Sequence, residues 1–303
     1  MAKVDCLEIE GREVKLTNLD RVLWPQDNLL KYDLVRYYIE VAPFILPHLK
    51  QRPLVFQRFP SGIEEEGFYQ KNCPQGAPSW VKTFPIKHEQ EKVTNYVIAE
   101  DISTLIWIAN QSCIEIHPWL SSIPNLDNPD FAVFDLDPME HSTFDDVRNI
   151  ALLLKNLLEE FKLKGYPKTS GATGLQIFVP LKPHYSYDEV RSFVEYLCCL
   201  INKAYPQKTT MERKICAREG KIYLDYLQNI KGKTLVAPYS PRPLPGAPVS
   251  MPLTWKEVEE GGFNPADFNL LTALPRLNEV GEIFSPLLQE KQDINIVLQN
   301  TAL

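Results

Sequence analysis

The sequence predicts a mixed fold, α/β or α+β, and three observations carry that prediction. The run FAVFDLDP at 131–138 is apolar and aromatic until a proline stops it, as at the end of a buried strand. Two stretches, HSTFDDVRNIALLLKNLLEEFKLKG and SYDEVRSFVEYLCCLINKAYP, repeat apolar residues at helical period behind polar starts. Leu175, Ile177 and Val179 alternate after the Gly-rich turn TSGATG, and KIYLDYLQ reads as one more strand with Asp225 inside it.

Taken in order, the elements begin with a helix-like stretch, LVRYYIEVAPFILPHL, in an N-terminal lobe that runs to about 120. The aromatic, turn-rich piece RFPSGIEEEGFYQKNCP belongs to the same lobe. In the first of the two later helices, Ser142 and Asp145 have capping-box spacing. Val147, Ile150, Leu153, Leu154, Leu157 and Phe161 make its apolar face, and Gly165 ends it. The second helix is box-capped by Ser186 and Glu189 and stops before Pro206. The order is then β-α-turn-β-α-β, a sheet with helices packed on it, over an acid-bearing module at about 121–250. A C-terminal helical segment fills 251–303. With no internal repeat and no low-complexity linker, a single domain over 1–303 is expected.

Composition narrows the classes. Hydrophobic content of 44% and charged content of 23% are those of an ordinary globular protein. No run of ~18 apolar residues exists to span a membrane. MAKVDCLEIEGREV lacks the apolar core of a secretory signal. The six cysteines form no CxxC pair and read as reduced thiols, so a cytoplasmic location is expected. A net charge of −7 excludes an all-over nucleic-acid coat, yet 201–245 holds nine Lys or Arg against three acids. Such a patch is a solvated loop or a phosphate-binding surface.

The chemistry-bearing residues begin with Asp135 and Asp137. Two residues apart on a strand, they share a face at about 7 Å. Anions that close repel unless solvated, protonated or bridged by a cation. Asp225 is a third carboxylate within a strand, costly to bury without a partner. Three carboxylates from neighbouring strands make a hard-oxygen site suited to two Mg²⁺ or Mn²⁺ ions rather than to structural zinc. In TSGATG, Gly171 and Gly174 let backbone N–H groups close on an anion, with Ser170 adding a hydroxyl; a plain turn is the simpler reading. Glu115 and His117 alternate on one strand face in SCIEIHPWL. In GFYQKN, Phe68 and Tyr69 precede Lys71, and one ring turned outward would stack a base. Arg21, Lys31 and the basic residues of 213–221 are candidates for DNA phosphates.

In series, LTNLDRVLWP, YYIEVAPFILPHLKQRPL, GFYQKN, IEIHPWL, FAVFDLDP, TSGATGLQIFVPL, IYLDYLQN and VAPYSPRPLPGAPVSMPLTW resemble the polymerase domain of bacterial ligase D, of the archaeo-eukaryotic primase superfamily. The resemblance implies an α+β, primase-like fold with a catalytic cleft. It implies template-directed addition of NTP or dNTP to a primer 3′-hydroxyl at gaps or ends with a 5′-phosphate, in non-homologous end joining. Ku and a DNA ligase are implied partners, and a nucleoid-associated, non-membrane location follows. Asp135, Asp137 and Asp225 match the family's metal-binding catalytic acids. Ser170, His117 and Arg242 match triphosphate contacts, and Phe68 and Tyr69 the aromatic pair beneath nucleotide and template bases. Arg21 and Lys31 match the 5′-phosphate grip, the first an arginine where the family has lysine. Arg218 matches a residue that places the primer end, and Lys71 is grouped with these DNA contacts.

The chain departs from the family at Thr173 and Gln176, where SGxKGLH has lysine and histidine. Each lost charge-assisted hydrogen bond costs ~1.5–3 kcal/mol, although both replacements still donate. Weaker nucleotide binding is therefore expected. About two extra residues between Met211 and Asp225 leave Arg213 and Lys214 without counterparts. The alternatives are a DNA-end-binding and synapsis module with little polymerase activity, and a primase.

Overall fold

Apolar residues at helical spacing between Leu34 and Leu49 bury one side of the first long helix in the computed structural model, which describes residues 4–88 and 92–301. Ahead of that helix, α1 (Lys31–Leu49), lie the hairpin β1 (Val4–Ile9) and β2 (Arg12–Thr17) and the short pair β3 (Val22–Trp24) and β4 (Leu29–Leu30). After it come β5 (Leu54–Arg58), β6 (Phe68–Gln70), β7 (Thr83–Lys87), β8 (Val93–Val97), α2 (Ile102–Asn110) and β9 (Cys113–Pro118). Strand β5 is the hub: β6, β8 and β9 all pair with it antiparallel, and β7 pairs with β8. Asp33 caps α1 by accepting the Leu30 N–H, and Asp101 caps α2 by accepting that of Thr104. These elements, together with 234–250 and 268–281, form one of two compact units.

The second unit holds 125–233, 251–267 and 282 onward. Its elements are β10 (Phe131–Asp137), α3 (Phe144–Glu160), β11 (Tyr166–Thr169), β12 (Leu175–Pro180), α4 (Tyr187–Ala204), β13 (Thr209–Thr210) and β14 (Ile222–Asp225). The short helices α5 (Trp255–Glu260), α7 (Pro286–Gln289) and α8 (Asn295–Thr301) belong here, whereas α6 (Ala273–Val280) belongs to the first unit. The sheet order is β11-β12-β10-β14-β13, antiparallel except for β13 beside β14. Phe134 meets Phe193 of α4 edge-on, with ring centroids 5.8 Å apart. Since strand residues alternate, Asp135 and Asp137 point to the opposite face. A mostly antiparallel sheet with helices laid on it is α+β.

Three readings need correction. The box on α3 is Thr143 with Asp146, one residue later than Ser142 with Asp145. Ser142 instead donates to the Gly220 carbonyl at 2.6 Å. That helix ends at Glu160 rather than at Gly165, and Tyr166–Thr169 forms a further strand. Finally, β14 stops at Asp225, and Tyr226–Asn229 is a 3₁₀ turn. Its last residue, Asn229, is fully buried and uses its amide as a strand would, accepting the Val133 N–H and donating to the Val133 carbonyl, both at 2.8 Å.

Candidate active site

Antiparallel register decides which side chains meet. Lys168 on β11 lies opposite Gln176 on β12, Gln176 opposite Asp135 on β10, and Asp135 opposite Asp225 on β14. Directly opposed residues have Cβ atoms about 4.5–5.5 Å apart, so the four side chains form one row across four strands. Asp137, two residues beyond Asp135, joins the same face opposite Tyr223. The third acid thus lies beside the pair, although 88 or more residues separate them in the chain.

Asp135 is 4% exposed, whereas Asp137 and Asp225 are half-buried. Burial, and then the neighbouring Asp137 charge, hold the Asp135 carboxyl well above the usual carboxylate range; Asp225 adds to this, while Gln176 and Lys168 oppose it. Gln176 Nε2 donates to Asp135 Oδ1 at 3.0 Å, and Lys168 Nζ donates to Gln176 Oε1 at 2.6 Å. Asp225 Oδ1 accepts from the Leu227 N–H at 3.0 Å and from the Tyr223 hydroxyl at 3.2 Å. Among the described residues, no three acidic, histidine or cysteine side chains close up tightly enough to hold a metal ion unaided. The donors fit a hard cation that completes its shell with water and phosphate oxygens, and the burial and like-charge repulsion that oppose ionisation of Asp135 are what such a cation relieves.

The turn leading into β12 is self-contained. Ser170 Oγ accepts the N–H groups of Ala172 at 3.2 Å and Gly174 at 3.1 Å, so the turn spends these amides on itself. Gly171 adopts φ +75°. Gly174 is needed for closeness rather than freedom: a Cβ there would lie 2.4 Å from the Leu136 carbonyl oxygen. Thr173 is exposed on this turn. Arg218 stacks on Tyr223, its guanidinium carbon 3.6 Å from the ring centroid, and donates to the Glu212 and Arg213 carbonyls.

The first unit gathers a second set. Glu115 and His117 share a face of β9, and Glu115, 1% exposed, binds His117 Nε2 at 2.6 Å and Arg242 Nε at 2.5 Å. One buried carboxylate therefore fixes both candidate triphosphate contacts. Arg242 reaches it from a bend in which Tyr239 sits at φ +66° while its carbonyl accepts the Tyr37 hydroxyl at 2.7 Å. Tyr69 meets the His117 ring edge-on at 5.8 Å, and both rings of β6 are open to solvent, Phe68 at 46% and Tyr69 at 59%. Arg58 stacks under Phe68 at 5.3 Å and is tied to Gln70 and Gln111. Lys71 follows these rings, exposed.

Lys31 is 2% exposed and donates to the Thr17 carbonyl at 2.6 Å, while Arg21 donates to that of Pro60. Burial, then the charges of Arg21 and Arg58, push the Lys31 ammonium down to about 8. A trio of cations, Lys31 buried and Arg21 and Arg58 half-buried, without a carboxylate among its named partners fits an anion. Sequence reasoning missed Lys168, Tyr223 and Arg58, and noted Glu115 without a role. Lys168 sits two residues before Ser170 in YPKT, where the proline and the lysine itself hid the strand that buries it.

Comparison with known proteins bears on the family and the fold. Residues 30–284 match the family described as LigD, primase-polymerase domain. The bifunctional non-homologous end joining protein LigD of Bacillus subtilis is 36% identical over 93% of this chain and 45% of its own length. The multifunctional LigD of Mycolicibacterium smegmatis is 33% identical over 90% of this chain and 36% of its own. The chain thus spans less than half the length of these relatives. The solved polymerase domain of Mycobacterium tuberculosis ligase D, in complex with DNA, superposes with a TM-score of 0.85 at 29% identity, covering 92% of this chain and 99% of that one. The chain belongs to the LigD primase-polymerase domain family.

Proposed function

We propose that this chain is a template-directed nucleotidyltransferase that fills gaps and extends ends at DNA double-strand breaks in non-homologous end joining. The observation that carries the reading is the register of β10 and β14, which sets Asp225 directly against Asp135 with Asp137 on the same face. Asp135, Asp137 and Asp225 would hold Mn²⁺ or Mg²⁺. Bound, such ions supply Lewis acidity at the primer hydroxyl and the pyrophosphate oxygens.

The chain's own residues do the rest. Asp135, buried on β10, keeps its carboxyl in a fixed place against Gln176. Arg242 and His117, braced by Glu115, bind the triphosphate of NTP or dNTP, with Ser170, Thr173 and Gln176 as further contacts. Phe68 and Tyr69 stack bases, and Arg21, Lys31, Lys71 and Arg218 take DNA phosphates. The whole of 1–303 acts as one catalytic domain, at the nucleoid, with Ku and a DNA ligase as partners.

Single-nucleotide incorporation at a 5′-phosphorylated gap, with Mn²⁺ or Mg²⁺, tests this. Asp135→Asn should lose at least 100-fold in rate while its unfolding temperature does not fall. No incorporation by the wild-type chain with either metal, or full incorporation by the variant, would sink the reading.

A further inference from the structure

The structure assigns Lys168 a positioning role: its ammonium fixes the Gln176 amide so that the amide N–H faces Asp135, bringing positive charge to the acid row through a relay. The inference rests on the nucleotidyltransferase reading and deepens it. Lys168 is 0% exposed, in a strand where a lone charge is costly. Its nitrogen lies 2.6 Å from Gln176 Oε1 and 3.4 Å from the Thr169 carbonyl, and 5.6 Å from the centroid of the Phe178 ring.

Donor and acceptor chemistry leaves the amide one orientation. An ammonium has three donors and no acceptor, so it must meet the amide oxygen. With the amide oxygen held by the ammonium, the amide nitrogen is the end left to Asp135 Oδ1, which it meets at 3.0 Å. The flipped amide would set N–H against N–H at one end and oxygen against oxygen at the other. Hydrogen bonds in such a chain polarise each other, so the lysine charge is felt at Asp135. A lysine bonded directly to Asp135 would occupy the carboxylate as a competing cation. The relay meets the acid through Oδ1 alone, with no ammonium set directly on the carboxyl.

A purely structural lysine would pin β11 to β12 and nothing more. The two roles separate in a double-mutant cycle on the full chain, with Lys168→Met, Gln176→Met and both together. Each single variant should lower kcat for nucleotide incorporation at least 10-fold, and Lys168→Met, which removes no substrate contact, should leave the nucleotide KM within threefold. The double variant should be no worse than either single within twofold. A second readout needs no substrate: the Gln176 side-chain N–H₂ resonances, assigned by their loss in Gln176→Met, should be protected from exchange in the wild type. Lys168→Met should lower that protection at least 10-fold.

Losses that multiply in the double variant, or an unprotected wild-type amide, would overturn the role. Should Lys168→Met not fold, Gln176→Met decides, since wild-type kcat in it excludes the relay. Absence of incorporation by the wild-type chain would instead refute the nucleotidyltransferase reading, and the amide signal would still test the fixed geometry.

Discussion

Glu115 offers the sharpest quantitative test of how the first unit prepares its polar groups. Glu115→Gln keeps the volume of a side chain that is 1% exposed and removes only its charge. Two contacts are affected, a hydrogen bond with His117 Nε2 at 2.6 Å and an ion pair with Arg242 Nε at 2.5 Å that lacks hydrogen-bond geometry. Losing the carboxylate charge costs about 1–1.5 kcal/mol at each contact and about 2–3 kcal/mol in all. Expressed wholly in nucleotide binding, that is a factor of roughly 30–150. The geometry of the change is also fixed. Arginine cannot accept a hydrogen bond, so the new amide must turn its oxygen to Arg242 and its nitrogen to His117. His117 Nε2 must then become the acceptor, with the proton on Nδ1. Steady-state incorporation should show nucleotide KM raised about 30–150-fold with kcat within a few-fold, in protein whose unfolding temperature moves little. A folded variant with KM within threefold of the wild type would refute the argument that this carboxylate organises the triphosphate contacts.

Gly174→Ala forces a Cβ to within 2.4 Å of the Leu136 carbonyl, so β10 or the turn must shift. Overpacking of this kind costs about 1–3 kcal/mol, read as a lower unfolding temperature, and incorporation should fall because Leu136 separates the two acids. An unchanged melt would show that the turn yields freely. Lys31 gives a pH dependence. Its ammonium is pushed down to about 8, so the folded chain binds fewer protons there than the unfolded one, and stability rises with pH between about 8 and the ordinary lysine range near 10.4. A bound 5′-phosphate favours the protonated lysine, so preference for a 5′-phosphorylated over a 5′-hydroxyl end should weaken as pH climbs through about 8. Fluorescence anisotropy across pH 7–9.5 reads this, and Lys31→Arg should flatten the profile. A flat wild-type profile would remove Lys31 from the contact.

The sequence made the elements of the second unit legible wherever periodicity and caps agreed. Ser186 with Glu189 and the break before Pro206 bound α4 because side-chain capping and the missing proline N–H act locally. The α3 box slipped by one because Ser142 and Thr143 both suit an N-cap, and only the tertiary bond from Ser142 to Gly220 separates them. Tyr166–Thr169 escaped notice because Pro167 and Lys168 argue against a strand. In fact β11 is the last strand on its side of the sheet, where a proline is tolerated.

The candidate site was legible as residue types and illegible as an arrangement. Period-two patterning puts Asp135 and Asp137 on one face, but no pattern within β10 says which residue of β14 comes alongside. A slip of one in that pairing would turn Asp225 to the other face and leave the buried Asp135 beside an apolar neighbour. The register is therefore what converts three acids into a site, and the row it creates is graded. Lys168 is sealed from solvent, Gln176 and Asp135 nearly so, and Asp225 is half-buried. Positive charge is locked at the closed end and negative charge accumulates toward the open one. A cation arriving from solvent meets carboxylates first, while the buried lysine supports them from behind through an amide that cannot turn. Thr173, exposed on its turn, stands outside that row, so replacing the family's lysine there leaves the row's internal bonding untouched.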